Sequence, residues 1–324
     1  MRQAFHAAIK IGRKIIGRQP AGRNVTVFPD DVFITSFPRS GNNWIRFLIG
    51  NLIWQDGSLT FNNQGTRIPE LYATSDQAMR HLPRPRILRG HEAFEPRYRH
   101  VIYIVRDPRD VAVSKYHYNL ATGRHPKGYP IEDFIPRFIA GEFDSQFGTW
   151  AEHVMSWLST RQNHPGFLLV RYEDLQREPR AELARIASFL NRCSFRQIDA
   201  SPQQLERTIQ LSSPEQMRSL ERQQGRRWLR LRKEREIKGY VAVRAAVSGG
   251  WKSVLPQESV AQIESAWGPV MTQLSYPLHL GAEEPEARVP TPDVTNPERY
   301  LRTLPANPIP PGPEIGPTPF PHSR

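Results

Sequence analysis

The chain contains few cysteines and has no long apolar run. Its 324 residues include one cysteine, Cys193, which excludes a disulfide framework within the chain and zinc sites built on several cysteines. No stretch approaches the ~20 consecutive apolar residues that a transmembrane helix needs. The successive parts of a secretory signal are also missing. We therefore expect a protein of a reducing compartment, the cytoplasm.

Two kinds of catalytic motif are also missing. Neither an H-E-x-x-H pattern nor a spacing typical of two histidines and one carboxylate occurs, so we expect no metal centre. The phosphate-binding pattern G-x-x-x-x-G-K-[ST] is absent as well. Hydrolysis of ATP or GTP is therefore not the natural interpretation, although a nucleotide-dependent kinase with a related loop is kept as an alternative.

Basic residues exceed acidic ones by 44 to 32, which gives a net charge of +12. Such a surplus attracts nucleic acid, acidic lipid or a phosphorylated small molecule. Residues 1–24 hold six basic groups and no acidic one, and residues 282–324 hold four basic and six acidic groups. Residues 25–281 keep a net charge of +8, so part of the surplus belongs to the body of the protein.

Composition divides the chain into three regions. Residues 1–24 form a basic amphipathic extension, for which a surface helix, a cleaved transit peptide, or a helix that places residues 1–18 against anionic lipid are the three interpretations. Residues 25–281 carry the regular apolar patterns and are expected to form one domain. Residues 282–324 contain 12 prolines, so we expect an extended or disordered tail.

The apolar pattern of the middle region predicts a single α/β domain with a central parallel sheet flanked by helices. Fully apolar short runs alternate with segments of helical periodicity, which is typical of a sheet covered on both faces. The predicted strands are 32–35, 87–88, 101–105 and 167–170, and the predicted helices are 44–53, a helix from about 108, and 175–190.

The segment from Ser36 to Trp44 connects the first strand to a helix and has the chemistry of an anion site. Gly41 allows close approach of the backbone to a ligand, and the first amides of the helix lack internal acceptors. Arg39 adds a fixed charge with several donors, and Ser40, Asn42 and Asn43 add neutral ones. From spacing alone, an ordinary strand-to-helix turn with capping residues is an equal alternative.

Several motifs in order resemble the sulfotransferase family, which uses 3′-phosphoadenosine 5′-phosphosulfate (PAPS). Residues 37–44 are similar to its phosphosulfate loop, Tyr-Pro-Lys/Arg-Ser-Gly-x-x-Trp, and 105–118 to its 3′-phosphate motif, strand-Arg-x-Pro-x-Asp-x-x-x-Ser. Residues 88–91, 147–154, 169–175 and, in eroded form, 244–252 match further family segments. The resemblance covers residues 31–275 and implies the family's fold, which is similar to that of the P-loop NTPases.

The resemblance implies a function and a site. It implies transfer of a sulfuryl group from PAPS to a hydroxyl or amine, with His91 as general base and Arg39 beside the departing oxygen. The acceptor would be a small molecule, a sugar or a lipid, and a nucleic-acid partner is disfavoured. A non-catalytic protein that binds anions or polysaccharides is the alternative from another class. The implied nucleotide-binding residues are Arg39, Ser40, Gly41, Asn42, Asn43, Trp44, Arg106, Ser114, Tyr172, Ser212 and Arg244.

The sequence also departs from the family pattern. Arg39 replaces a lysine of many members, and Asn42 and Asn43 replace two threonines. Ala245 and Ala246 replace a lysine and a glycine, which leaves Arg244 alone in that motif. Pro214 stands where a phenylalanine often stacks on adenine, so Trp44 is expected to be the main stacking residue.

Several residues and one segment have more than one interpretation. Arg89 either contacts the leaving group or forms a surface ion pair, and Arg106 either binds phosphate or pairs with Asp110. Residues 218–244, with ten basic and three acidic groups, form a solvated helix face, a lid over the nucleotide or a nucleic-acid patch. The family's acceptor pocket implies roles for five residues that are equally candidates for the core: Phe94, Phe143, Phe147, Trp150 and His153.

Overall fold

A four-stranded parallel sheet forms the centre of the computed structural model, which describes residues 19–193, 195, 197–224 and 248–279. The strands are β1 (Val32–Ser36), β2 (Ile87–Arg89), β3 (His100–Val105) and β4 (Phe167–Arg171), in the spatial order β2-β1-β3-β4. Each neighbouring pair is parallel. All four predicted strands are confirmed, because each is a short apolar run that can be buried on both faces.

Helices connect the strands and continue after them. The described helices are α1 (Asn42–Trp54), α2 (Gln64–Arg67), α3 (Asp76–Arg80), α4 (Pro108–Ala121), α5 (Ile131–Ile139), α6 (Trp150–Arg161), α7 (Tyr172–Arg177), α8 (Pro179–Arg192), α9 (Pro202–Leu211), α10 (Pro214–Gln224) and α11 (Gln257–Gln273), with short 3₁₀ helices at Gly22–Asn24 and Gly250–Ser253. None of the described helices is long and apolar enough to cross a membrane.

The two faces of the sheet carry separate apolar cores. Along β3, Val101, Tyr103 and Val105 face one core, which also contains residues of α4, α5, α6 and α11. Ile102 and Ile104 face the other core, which contains residues of α1 and α8. Side chains alternate between faces along a strand, so the continuous apolar runs are explained by helices on both sides. The predicted fold class, a single α/β domain with a flanked parallel sheet, is confirmed.

One helix, predicted as continuous over residues 175–190, is interrupted in the structure. Residues 175–177 are the end of α7, residues 179–190 belong to α8, and Glu178 separates the two helices. Glu178 has a φ of −133° and a ψ of 58°, outside the helical region. Pro179 causes the break, because proline disfavours a helical conformation in the residue before it and is well tolerated in the first turn of a new helix.

The last residues of the basic N-terminal region pack against the domain. Ala21 is buried, and its backbone amide donates to the carbonyl of Thr74 at 2.9 Å. Residues 1–18 lie outside the described residues, as do residues 280–324. The predictions for a membrane-surface helix and for the proline-rich tail therefore stay predictions.

Candidate active site

The loop after β1 turns the chain sharply into α1. Arg39 has a φ of 76° and Gly41 a φ of 98°, both in the left-handed region. A Cβ atom at Gly41 would lie 2.4 Å from Cδ2 of Tyr172, so both the backbone conformation and the ring packed against it require glycine. The amides of the first turn of α1 have no acceptors within the helix and can bind an anion.

The polar side chains of this loop have different surroundings. The hydroxyl of Ser40 is buried, and its Oγ has no hydrogen-bond partner among the described residues. Leaving such a group unpaired is costly, so the chemistry of this position fits a bound anion. Asn42 instead donates from Nδ2 to Oγ of Ser36 at 3.0 Å and to the carbonyl of Gly90 at 3.2 Å. Asn43 is half-buried.

The loop meets the 105–118 motif through Arg39. Nε of Arg39 donates to Oγ of Ser114 at 3.2 Å, and its Cζ lies 4.8 Å from the ring centroid of Tyr118. A guanidinium has five N–H donors, and the bond to Ser114 uses one of them. Two segments 75 residues apart thus form one cationic site.

Arg106 follows the carboxyl end of β3 and is mostly buried. Its Nη2 lies 3.7 Å from Oδ2 of Asp110, so the local ion pair considered from the sequence is present. Its Cζ also lies 4.2 Å from the ring centroid of Tyr172. Asp110 accepts backbone N–H groups of Gly249 at 2.8 Å and Trp251 at 3.1 Å. The ion pair at 3.7 Å does not by itself exclude a phosphate contact, because a guanidinium carries five N–H donors.

Two aromatic rings lie next to the loop. The rings of Trp44 and Tyr172 are 5.3 Å apart at an angle of 67°. Nε1 of Trp44 donates to the carbonyl of Ser212 at 3.0 Å. The hydroxyl of Ser212 is buried and accepts from Nδ2 of Asn51 at 3.0 Å. Ser212 therefore fixes the position of Trp44, and its hydroxyl already accepts one hydrogen bond from α1.

His91 is held as a neutral ring with a defined tautomer. Its Nδ1 lies 2.8 Å from the carbonyl oxygen of Ser36, which can only accept, so Nδ1 carries the proton. Its Nε2 lies 3.4 Å from Nη2 of Arg89, which can only donate, so Nε2 bears the lone pair. Burial, reinforced by the charge of Arg89, lowers the pKa of His91 to about 3. Nε2 is thus unprotonated at neutral pH.

Comparison with known proteins shows which family the chain belongs to. The family described as "Sulfotransferase domain" matches residues 29–275, about three quarters of the chain. The chain belongs to the sulfotransferase family. Mouse Sulfotransferase 1B1 is 29% identical over 181 residues, which are 51% of this chain and 59% of that protein. The chain therefore spans less than two thirds of the length of this curated sulfotransferase.

Solved sulfotransferase-like structures have the same fold. The mouse sulfotransferase SULT7A1 complexed with PAP has a TM-score of 0.59 at 22% identity, and the match covers 78% of this chain and 87% of that one. Retinol dehydratase in complex with androsterone and the inactive cofactor PAP has a TM-score of 0.62 at 19% identity, covering 83% and 85%. At these identities the likeness shows the fold.

Two of the residues considered for the sulfotransferase's acceptor pocket support the site from the core. Nε2 of His153 donates to the carbonyl of His91 at 3.0 Å, and its Nδ1 accepts from the hydroxyl of Tyr103 at 2.7 Å. Nε1 of Trp150 donates to the carbonyl of Arg106 at 3.2 Å. His153 and Trp150 are both buried. They fix the backbone at His91 and Arg106, two residues of the candidate site.

The three phenylalanines of that group have different places. The ring of Phe147 lies 5.8 Å from the His91 ring, beside the proposed base. Phe94 packs edge-on against Trp157 at 5.5 Å. Phe143 stacks on Phe134 at 4.6 Å. Of the three, only Phe147 has a described ring contact with His91.

Some predicted features of the sulfotransferase site cannot be placed. Arg244, Ala245 and Ala246 lie outside the described residues, with the rest of 225–247. Within 218–224, Arg218 pairs with Glu215 at 3.6 Å, which agrees with a solvated helix face over those seven residues only. Among the described residues, no group of three or more histidine, cysteine or acidic side chains could hold a metal ion.

Sequence reasoning missed Asn51 and Glu70. Asn51 lies seven residues after Trp44, so the two side chains share a face of α1, and this spacing could have indicated its role. Glu70 forms an ion pair with Arg89 at 2.9 Å. No spacing signal predicts that pair, because the two residues are 19 positions apart and are joined by the fold.

Proposed function

We propose that this protein transfers a sulfuryl group from PAPS to a hydroxyl or amine of a small-molecule acceptor, with His91 as general base. The observation that carries the proposal is the tautomer of His91, whose Nδ1–H is bonded to Ser36 at the start of the anion-binding loop while Nε2 keeps its lone pair. The base and the loop are joined by direct hydrogen bonds through Ser36 and Asn42. Membership of the sulfotransferase family supports the same chemistry.

The donor nucleotide would be held by the residues that the loop and β3 bring together. Arg39, the hydroxyl of Ser40 and the first amides of α1 would bind the phosphosulfate. Arg106 and Ser114 would bind the 3′-phosphate, and Trp44 would pack against adenine. The buried hydroxyl of Ser40, which has no partner among the described residues, supports this fit. When bound, PAPS supplies the activated sulfuryl group.

The proposed transfer step accounts for the bond formed, the bond broken, the leaving electron pair and the proton. The acceptor oxygen forms a bond to sulfur while the bond between sulfur and the bridging phosphate oxygen breaks. The electron pair of that bond leaves on the nucleotide phosphate, whose charge Arg39 is placed to neutralise. Nε2 of His91 accepts the proton of the acceptor. Positioning and charge neutralisation dominate, as in phosphoryl transfer.

The acceptor is proposed to be a small molecule with an apolar body. Phe147 supplies an aromatic wall beside His91, and retinol dehydratase, which has the same fold, was solved with androsterone. Sugars, lipids and amines belong in the same test, because the described contacts near His91 include charged side chains as well, such as Arg89.

Nucleotide binding tests the first half of the proposal. Adenosine 3′,5′-bisphosphate at 100 times its dissociation constant should stabilise the fold by about 2.7 kcal/mol, read as a rise in the thermal unfolding midpoint. ATP, 5′-AMP and heparin are run at matched ionic strength. Stronger stabilisation by ATP would favour a kinase, and stabilisation by heparin alone would favour a polyanion-binding protein. Either result contradicts the proposal.

Transfer of label tests the second half. The protein is incubated with [³⁵S]PAPS and a panel of phenols, alcohols, sugars, lipids and amines that includes 2-naphthol and androsterone. The expected result is labelled product from at least one hydroxyl or amine, lost in a His91→Ala variant that still binds adenosine 3′,5′-bisphosphate. Absence of transfer to the whole panel by a nucleotide-binding protein would overturn the proposed activity.

A further inference from the structure

Glu70 lies beside β2, on a short segment that extends the edge of the sheet. The amide of Leu71 donates to the carbonyl of Arg89, and the amide of Arg89 donates to the carbonyl of Pro69, both at 2.9 Å. These two bonds place Glu70 opposite Arg89 in a parallel bridge. Because paired residues of neighbouring strands share a face, the two side chains lie together.

The two side chains form a largely buried ion pair. Oε2 of Glu70 lies 2.9 Å from Nη1 of Arg89, and their side chains are 13% and 5% exposed. A guanidinium is planar, so a carboxylate bound to one Nη restricts the direction of the other. The orientation of Arg89 is therefore fixed from the side of Glu70.

The second Nη of Arg89 is directed at the proposed base. Nη2 lies 3.4 Å from Nε2 of His91, longer than the ~2.9–3.0 Å of an ordinary N–H hydrogen bond. A contact of this length orients the lone pair of His91 but is weak, so an acceptor hydroxyl can replace it at Nε2. Glu70, Arg89 and His91 thus form a chain of contacts that ends at the reacting nitrogen.

We propose that Glu70 is a positioning residue for the transfer reaction: its carboxylate holds Arg89 in the orientation that keeps Nε2 of His91 directed toward the acceptor. The proposal rests on the proposed function. It adds a residue that does not touch the reactants and that positions the base through Arg89.

The charge of Glu70 also has a smaller, direct effect on His91, which does not pass through Arg89. When Nε2 accepts the acceptor's proton, an imidazolium forms next to the cation of Arg89. The charge of Arg89 lowers the pKa of His91 and the charge of Glu70 raises it. Removing only the charge of Glu70 therefore makes His91 a weaker base and leaves the buried guanidinium without this anion.

A double-mutant cycle separates this role from a purely structural ion pair. Glu70→Gln, Arg89→Gln and the double variant are compared with the parent in [³⁵S]PAPS transfer to 2-naphthol, or to the best acceptor of the panel. Glu70→Gln should lower kcat by roughly 10- to 100-fold, the scale of one partly screened unit charge. The dissociation constant of adenosine 3′,5′-bisphosphate, measured by calorimetry, should change by less than about twofold.

The cycle also makes a prediction about coupling. In the Arg89→Gln background, Glu70→Gln should cause a smaller loss of kcat than in the parent, because only the direct effect of its charge on His91 remains. Glu182→Gln is the matched control, since Glu182 is 10% exposed and pairs with Arg185 at 2.6 Å on α8. It should leave kcat unchanged.

Each outcome decides between the proposals. Parent-like kcat in Glu70→Gln, or an equal loss in both backgrounds, overturns the role of Glu70 and leaves the proposed function intact. If Glu70→Gln does not fold, the double variant decides, because it leaves no unpaired buried charge; a parent-like kcat there also overturns the role. A parent that binds nucleotide but transfers no label overturns the proposed function, and this inference with it.

Discussion

Replacing Arg106 by glutamine should separate two nucleotides that differ only in the 3′-phosphate. The Arg106 side chain is 12% exposed, and the substitution removes its charge while keeping a polar group. If Arg106 holds the 3′-phosphate, the variant loses a hydrogen bond between charged groups, about 1.5–3 kcal/mol. That corresponds to a loss of affinity for adenosine 3′,5′-bisphosphate of roughly 10- to 150-fold. The affinity for 5′-AMP should change by less than about threefold.

The structure limits how far the same substitution can disturb the fold. Asp110 would lose the Arg106 cation at 3.7 Å but keep the amides of Gly249 and Trp251. Burial already raises the pKa of Asp110 and the charge of Arg106 opposes that rise, so the variant should raise this pKa further. Asp110 then stays tolerable as a buried group, because the two amides still donate to it and a raised pKa makes the uncharged form more accessible.

Calorimetry with both nucleotides measures the difference. Ser114→Ala is a second probe, because Ser114 Oγ also contacts Arg39 at 3.2 Å and the loss of one neutral donor should be smaller than the loss of a charge. Equal losses for adenosine 3′,5′-bisphosphate and 5′-AMP in Arg106→Gln would refute the reasoning. Arg106 would then support the fold through Asp110 and Tyr172 without binding the 3′-phosphate.

Further predictions concern the base, the loop and the undescribed motif. His91→Ala should lower kcat at least ~100-fold, with nucleotide affinity within a few-fold of the parent. In the parent, kcat/KM should show no loss from protonation of His91 between pH 8 and 5, because the pKa of His91 is about 3. A fall in kcat/KM centred near pH 6.5 would contradict this. Burial also lowers the pKa of His153 to about 4. As the pH falls below ~6.5, the unfolded state therefore binds more protons than the folded state, and the free energy of unfolding measured in urea should fall. In His153→Gln this fall should be shallower by about 1.4 kcal/mol per pH unit. Gly41→Ala should abolish nucleotide binding, because the added Cβ would lie 2.4 Å from the Tyr172 ring. Gly128→Ala has a φ of 81° but, beyond its chain neighbours, no described atom within 4 Å of the added Cβ, and it should retain binding; retained binding in both variants would contradict the role of the Gly41 turn. Arg244→Ala should weaken PAPS binding by at least ~10-fold at low ionic strength, and unchanged affinity in calorimetry would make the match at 244–252 accidental.

The fold could be predicted because its strands carry strong local signals. β1 and β3 are apolar runs that end in polar loops, and burial on both faces leaves few alternatives for such runs. The break at Pro179 was missed although its signal was present: the apolar spacing continues across it, and proline's restriction on Glu178 overrides that spacing. At this position the restriction that proline imposes determines where the helix ends, and the apolar periodicity does not.

The site could be predicted only where one segment carries it. Arg39 and Gly41 belong to one loop, and their chemistry is visible in sequence order. The contacts of Trp44 with Ser212 join residues 168 positions apart, and those of Glu70 with Arg89 depend on backbone pairing beside β2. His153 illustrates an interpretation that the sequence leaves open, because a buried histidine that bonds a backbone carbonyl and a tyrosine has the same sequence signature as one in a pocket.

Ser36, the last residue of β1, connects His91 with the loop of the candidate site. Its carbonyl accepts from Nδ1 of His91 at 2.8 Å, and its hydroxyl accepts from Nδ2 of Asn42 at 3.0 Å. One residue of a central strand therefore fixes both the ring of the proposed base and the first turn of the anion-binding helix. Transfer between two bound molecules depends on holding their reacting atoms within a few tenths of an ångström. Because both partners bond to the same rigid strand end, the separation of base and loop is set by the sheet and not by the conformations of exposed loops.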